Sequence, residues 1–186
     1  MHVGAGASPA PTRRPINPVN DGLTARRVVA CVGLGSNLGD AAANVRSALA
    51  AIAAIVDTEL VRASPLYRTP PWGGIVQADF INAAATVRTA LPPRELLGHL
   101  LAIERAHGRH RDGSRWGPRT LDLDLLVYAQ LRLHEPDLVL PHPHIAERAF
   151  VLAPLADIEP DLMIPGVGCV RELLARVDAR ACIRLD

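Results

Sequence analysis

Between Gly108 and Tyr128 the chain reads GRHRDGSRWGPRTLDLDLLVY, an arginine-rich, glycine-broken stretch that runs straight into two closely spaced carboxylates. In Leu121, Asp122, Leu123, Asp124 and Leu125 apolar and acidic residues alternate. A period of two puts both acids on one face of a strand and turns the leucines toward a core. The acidic Cα atoms then lie roughly 6.5 Å apart. Side chains so placed can share hard cations such as Mg²⁺, which is usually held by one or two carboxylates plus substrate phosphates. A half-exposed edge strand alternates in the same way, so the acids alone do not decide. The loop in front of them does more. From Arg105 to Arg119 five arginines stand against one acid, Asp112, and the glycines at 108, 113 and 117 with Pro118 exclude a helix face. The stretch is expected to be a mobile cationic loop ending at an acidic strand. Acids and arginines together make a phosphate site when a divalent metal lies between the acids and the phosphates.

All 20 basic residues are arginine. With no lysine there is no Schiff-base amine and no GxxxxGK[ST] phosphate loop. Any phosphate must be gripped by guanidinium forks, which stay charged at every working pH. The net charge is only +1, so the cationic character is local. A chain of 186 residues, 49% of them apolar, is long enough for one well-filled domain. No apolar run reaches the roughly 18 residues of a membrane span. Cys31, Cys169 and Cys182 are odd in number and lack metal-ligand spacing. They suit a reducing, cytoplasmic compartment. Residues 1–26 carry four prolines and no continuous apolar stretch, and are expected to form a disordered extension before a single domain at 27–186.

The elements that must position the acids follow from periodicity. VVACVGLG opens the folded part as a buried strand. Asp40 is a predicted N-cap for a helix over Ala41–Ile55. The glycines at 33, 35 and 39 miss the dinucleotide-binding GxGxxG spacing by one. A second strand is expected over Thr58–Leu66, a Pro/Gly loop from Thr69 to Gln77, and a third strand over Phe80–Arg88. Pro92 and Pro93 open a helix whose buried stripe is Leu96, Leu97, Leu100, Leu101 and Ile103 and which closes at Gly108. The Asp122–Asp124 strand is fourth. This β-α-β-β-α-β order predicts an α+β, ferredoxin-like sandwich. A C-terminal helical extension follows, with a turn and short helix in LPHPHIAERAFVLAPLADI and a last helix near Val170–Val177.

Four segments in order, GLGSNLGD, then SPLYRTPPWGG with DFINAA, then RWGPRTLDLDLLVY, then LPHPHIAERAFVLAPL, resemble 6-hydroxymethyl-7,8-dihydropterin pyrophosphokinases of the folate pathway. The resemblance runs from about Val28 to the C-terminus. It implies ATP as co-substrate, transfer of the β,γ-pyrophosphoryl group to the pterin hydroxymethyl oxygen, and release of AMP. It places two Mg²⁺ on Asp122 and Asp124. Arg109 and Arg119 match catalytic arginines that touch the phosphates, and Glu104, Arg111, Trp116, Leu125, His142 and Arg148 match nucleotide-side positions. For the pterin it implies Thr69, Pro70, Trp72, Phe80, Asn82, Trp116 and Phe150. A flat heteroaromatic ring is best held between two π-faces, with one amide, Asn82, reading its edge. Trp72 stands where a smaller aliphatic is common, Phe80 where a tyrosine occurs, Asp137 where some members carry an arginine and Leu101 where a glutamine occurs. The expected partners are small molecules, with no nucleic acid or membrane, and the protein is expected to act as a monomer. Two other readings share parts of this pattern. A metal-dependent phosphohydrolase would use the same acids and arginines. An RNA-binding ferredoxin-like module would need stacked aromatics on central strands, and aromatics are 3% of the chain.

Overall fold

The computed structural model describes Met1 and residues 26–73, 76–109 and 117–185. The expected N-terminal extension falls almost wholly outside the described residues, as do Arg111 and Trp116. In chain order the elements are β1 Val28–Ser36, α1 Ala41–Ala53, β2 Thr58–Ala63, β3 Leu66–Thr69, β4 Phe80–Thr89, α2 Pro93–Ala106 and β5 Asp122–Tyr128. There follow β6 Leu133–Glu135, β7 Leu138–Leu140, α3 Ala149–Ile158, β8 Met163–Ile164, β9 Gly168–Cys169, α4 Val170–Leu174 and β10 Ile183–Leu185. Among the described residues one six-stranded sheet runs β10-β3-β4-β1-β5, with β2 also paired to β4. Every pairing in it is antiparallel. The chain is therefore a mixed α/β domain on an antiparallel sheet.

Alternation along the strands gives the sheet two distinct faces. Ala30, Val32 and Leu34 of β1, Ala83, Ala85 and Val87 of β4, and Leu123 and Leu125 of β5 all point one way. They pack against Val45, Ala48 and Ile52 of α1 and Leu96 and Leu100 of α2 in a continuous apolar core. The other face carries Cys31, Ala84, Leu126 and Val127 under α3 and α4, which bury Val151, Leu152, Leu155, Val170 and Leu173 there. A register shift in the β1–β5 pair, between Cys31 and Val32, leaves Leu126 as an extra residue. This bulge turns both Leu126 and Val127 toward α3 and α4.

The local signals behave as expected in several places. The Asp40 carboxylate accepts from the Ala43 N–H at 2.9 Å and caps α1. Pro93 begins α2, and Gly108 takes a left-handed φ of 76° just past its end. The predicted second strand is two strands. Pro65 has no N–H to donate to a ladder, and Ser64 before it holds β4 with both its main chain and its hydroxyl, which accepts from the Ala84 N–H at 2.9 Å. The chain shifts there and resumes as β3. The C-terminal part is less helical than predicted. It contains the β6–β7 and β8–β9 hairpins and β10, which adds to the sheet edge beside β3, and its last helix stops at Leu174.

Candidate active site

The two strand acids meet β1 at glycines. Asp122 lies opposite Gly35 and Asp124 opposite Gly33, and Gly35 in turn lies opposite Asn82 of β4. One row across the sheet therefore reads Tyr67, Asn82, Gly35, Asp122, and the next reads Ala84, Gly33, Asp124. These rows belong to the face that α3 and α4 cover further along. At this end the helices stop and the glycines put no side chain above the sheet, so a cavity opens. It is lined by Gly33, Gly35, Thr69, Pro70, Trp72, Gln77, Phe80, Asn82, Arg119, Asp122, Asp124, Arg148, Phe150 and neighbouring main chain. A Cβ added to Gly35 would lie 2.8 Å from Asn82 Oδ1, closer than real contacts allow. Glycine at 35 is what lets the Asn82 amide lie there. Asn82 Nδ2 donates to Thr69 Oγ1 at 2.7 Å, and both residues are buried. Phe80 and Phe150 are only partly buried and both border the cavity.

The two acids share a strand but have different neighbours. Asp122 accepts from Arg119 at 2.6 Å and is also bonded by Arg109. Burial would raise its pKa, but the charges of Arg119 and Arg109 outweigh that and hold the carboxyl below the usual carboxylate value. Asp124 has Arg148 at 3.9 Å and keeps 40% side-chain exposure at the cavity mouth. Crowding by the surrounding protein, followed by the charge of Asp122, pushes it up to about 7. An acid pair with one member so raised is a site that gains from a cation. His142 is tied by its main-chain N–H to the Leu126 carbonyl at 2.8 Å. Burial, then the charges of Arg148 and His144, lower it to about 4, so its ring is neutral at pH 7.

Glu104 differs from the exposed helix position that its residue type also allows. It is 2% exposed on the buried side of α2, accepts from the Leu123 N–H at 2.8 Å, and is bonded by Arg109. Arg109 thus spans Glu104 and Asp122 and ties α2 to β5. Leu125, expected at the nucleotide, is 4% exposed with its side chain in the core on the opposite face. Only its main chain is left for a ligand. The cavity brings together Thr69, Pro70, Trp72, Phe80, Asn82, Phe150, Arg119, Asp122, Asp124 and Arg148. Glu104, Arg109 and His142 stand next to it and not in its lining.

Sequence reasoning missed Asn37. It is 6% exposed, and its amide donates to Gln77 Oε1 at 3.0 Å and to the Ala78 carbonyl at 3.2 Å. Its Oδ1 accepts from the Arg119 N–H at 2.8 Å. One side chain thereby pins the segments before β4 and before β5 to the end of β1. The available signal was a Ser-Asn pair directly after an apolar strand, where an amide can satisfy main-chain groups of neighbouring loops.

A family model for 7,8-dihydro-6-hydroxymethylpterin-pyrophosphokinase matches residues 31–160. The chain belongs to this pyrophosphokinase family. A Methylorubrum extorquens protein named 2-amino-4-hydroxy-6-hydroxymethyldihydropteridine pyrophosphokinase is 48% identical over 157 residues, 84% of this chain and 98% of that protein. A Pseudomonas aeruginosa protein of the same name is 48% identical over 144 residues, 77% of this chain and 88% of its own. A solved Plasmodium falciparum HPPK-DHPS chain superposes with a TM-score of 0.65 at 16% identity, over 83% of this chain and 45% of that one. At that identity the likeness to the solved structure speaks for the fold alone. The matched span of the pyrophosphokinase model contains both cavity-lining acids and every aromatic residue of the site.

Proposed function

We propose that the protein transfers the β,γ-pyrophosphoryl group of ATP to the hydroxymethyl oxygen of 6-hydroxymethyl-7,8-dihydropterin, releasing AMP, as a step in folate biosynthesis. One observation carries this reading. A slot walled by partly buried aromatics and floored by Asn82 stands directly beside an acid pair, with two backbone glycines between them. The ring of the pterin fits the slot, with Asn82 and the Thr69 and Pro70 segment at its edge and Phe80 and Phe150 against its faces, and Trp116, which lies outside the described residues, would add a further aromatic face. The hydroxymethyl group then points over Gly35 toward the acids.

Asp122 and Asp124 would hold two Mg²⁺ ions. Two carboxylates on one face, one of them with its pKa raised toward neutrality, fit a cation that takes its remaining ligands from phosphates and water. When bound, Mg²⁺ neutralises the phosphate charge and aligns the transferred group. The residues of the chain do the rest. Arg119 and Arg109, now paired to Asp122, would turn their spare N–H groups to the phosphates, as would Arg111. Arg148 and the neutral His142 ring would meet the nucleotide from the α3 side, Leu125 through its main chain. Glu104 would hold Arg109 in place while Arg109 changes partner. Positioning of this kind does most of the work in phosphoryl transfer.

The order β5-β1-β4-β2/β3, all antiparallel with α1 and α2 on one face, supports a ferredoxin-like core. The three free cysteines suit a reducing compartment such as the cytoplasm. No helix among the described residues is long and apolar enough to cross a membrane. Incubation with ATP, Mg²⁺ and the hydroxymethyl dihydropterin should give AMP and the pterin pyrophosphate in equal amounts. ADP or free phosphate as the main product would replace this reading with a phosphohydrolase or an ordinary kinase.

A further inference from the structure

Trp72 stands above the ring slot on the segment after β3 and keeps 37% exposure. The Arg148 guanidinium carbon lies 5.2 Å from its ring centroid and 5.7 Å from that of Phe150, so a single cation covers two aromatic faces. His144 braces the indole from another side, with ring centroids 6.2 Å apart. The same guanidinium reaches Asp124 Oδ2 at 3.9 Å. Its backbone is fixed, because Arg148 is the N-cap residue of α3 and its carbonyl accepts from the Val151 and Leu152 N–H groups, both at 3.0 Å. A change at Arg148 is therefore a change in what its side chain faces.

A guanidinium grips a phosphate through forked, charge-assisted hydrogen bonds, which are stronger than its contact with a ring face. Phosphates arriving beside Asp124 and the aromatic wall of the slot compete for the same cation. We propose that Trp72 is a positioning residue for Arg148, holding the guanidinium on the ring side until phosphates draw it off. The affinity of each substrate then depends on the other through the residue at position 72. An aliphatic residue there offers no π-face and loses this coupling. The proposal rests on the pyrophosphokinase reading of the site.

The test uses the full chain carrying fluorotryptophan, with the Trp72 fluorine resonance assigned by its loss in W72F. Adding Mg²⁺ with tripolyphosphate, and separately with a non-hydrolysable ATP analogue, should shift that resonance, since the phosphates and not the base attract Arg148. In calorimetry W72L should bind the analogue about threefold tighter, because one of the two ring contacts that hold Arg148 is absent and only that to Phe150 remains to be broken. With the pterin ring also displacing Arg148 from Trp72, the factor by which the analogue raises pterin affinity should fall by about threefold as well. Unlabelled W72F, which keeps a ring face, should restore both values. A Trp72 resonance that ignores tripolyphosphate, or W72L with unchanged affinity and coupling, overturns the proposal. AMP formation by the unsubstituted protein is measured alongside. If AMP forms while W72L couples normally, only the role of Trp72 falls, whereas absence of AMP removes the pyrophosphokinase reading and this proposal with it.

Discussion

The two faces of the β1, β4 and β5 strands are built from opposite kinds of residue. Toward α1 and α2 they present Ala30, Val32, Leu34, Ala85, Val87, Leu123 and Leu125, all at least 95% buried. Toward the other side, at the ends of the same strands, they present Gly33, Gly35, Asn82, Asp122 and Asp124. The closed face stabilises the sheet through apolar burial, about 25 cal/mol per Å². The open end gives up that gain. It carries glycines where packing wants side chains, a buried amide, and two acids that repel each other. Rigidity from one face lets the other hold groups in an arrangement that a self-packed surface would not keep.

Substitutions on each side should separate stability from chemistry. The largest effect belongs to the acids. Asp122→Ala or Asp124→Ala should lower kcat more than tenfold with the fold intact by circular dichroism, because metal-binding contributions to phosphoryl transfer are worth several kcal/mol. Activity above about a tenth of the unsubstituted value would put the metal elsewhere. Leu100→Ala, a fully buried position on the closed face, should cost about 2–5 kcal/mol of stability in denaturant melts. Both KM values should stay as they were, and a rise in pterin KM would mean that the two faces are not independent.

Gly35→Ala should have an intermediate effect. Its Cβ would enter the space held by Asn82 Oδ1, so the amide must move. Pterin KM should rise about tenfold, the equivalent of about 1.4 kcal/mol, with ATP KM changing less. Equal rises in both would show a general collapse of the strand.

The sharpest contrast is in stability, because the effect changes sign within the acid pair. Asp124 has a folded pKa of about 7 against an ordinary 3.8, so its ionisation removes stability as pH rises from 3.8 toward 7. Asp124→Asn stays neutral and should raise Tm above pH 7 without divalent cations, with no gain at pH 4. Asp122 has a lowered pKa, and its stabilisation is present above 3.8 and lost in acid. Asp122→Asn should cost about 1–3 kcal/mol at pH 7, since Arg119 and Arg109 lose a charged partner. Thermal melts of the two variants that shift in the same direction would contradict the contrast drawn between them.

What could be read in the sequence follows from the range of the physics involved. Strand alternation and helix periodicity are local, so the two long helices, the acid strand and its facing direction were legible. The Ser64–Pro65 break was present in the sequence but hidden, because apolar residues continue on both sides of it and β3 remains paired with β4. Three-residue strands such as β6, β7 and β10 carry too few side chains to set a period. The role of Glu104 was hidden because its partners, Arg109 and the Leu123 N–H, are brought to it only by packing of α2 on β5. Gly33 and Gly35 looked like a failed dinucleotide fingerprint. Their meaning depends on Asp122 and Asp124, which reach them from a strand nearly ninety residues later in the chain.

The central claim is that Asp122 and Asp124, set over a glycine floor, form the cation seat beside the ring slot. Counting bound Mn²⁺, a stand-in for Mg²⁺ at oxygen ligands, by electron paramagnetic resonance at a saturating non-hydrolysable ATP analogue tests it directly. The account predicts two ions per chain in the unsubstituted protein and a loss of at least one in Asp124→Ala. Two ions retained in a protein lacking both carboxylates would contradict it.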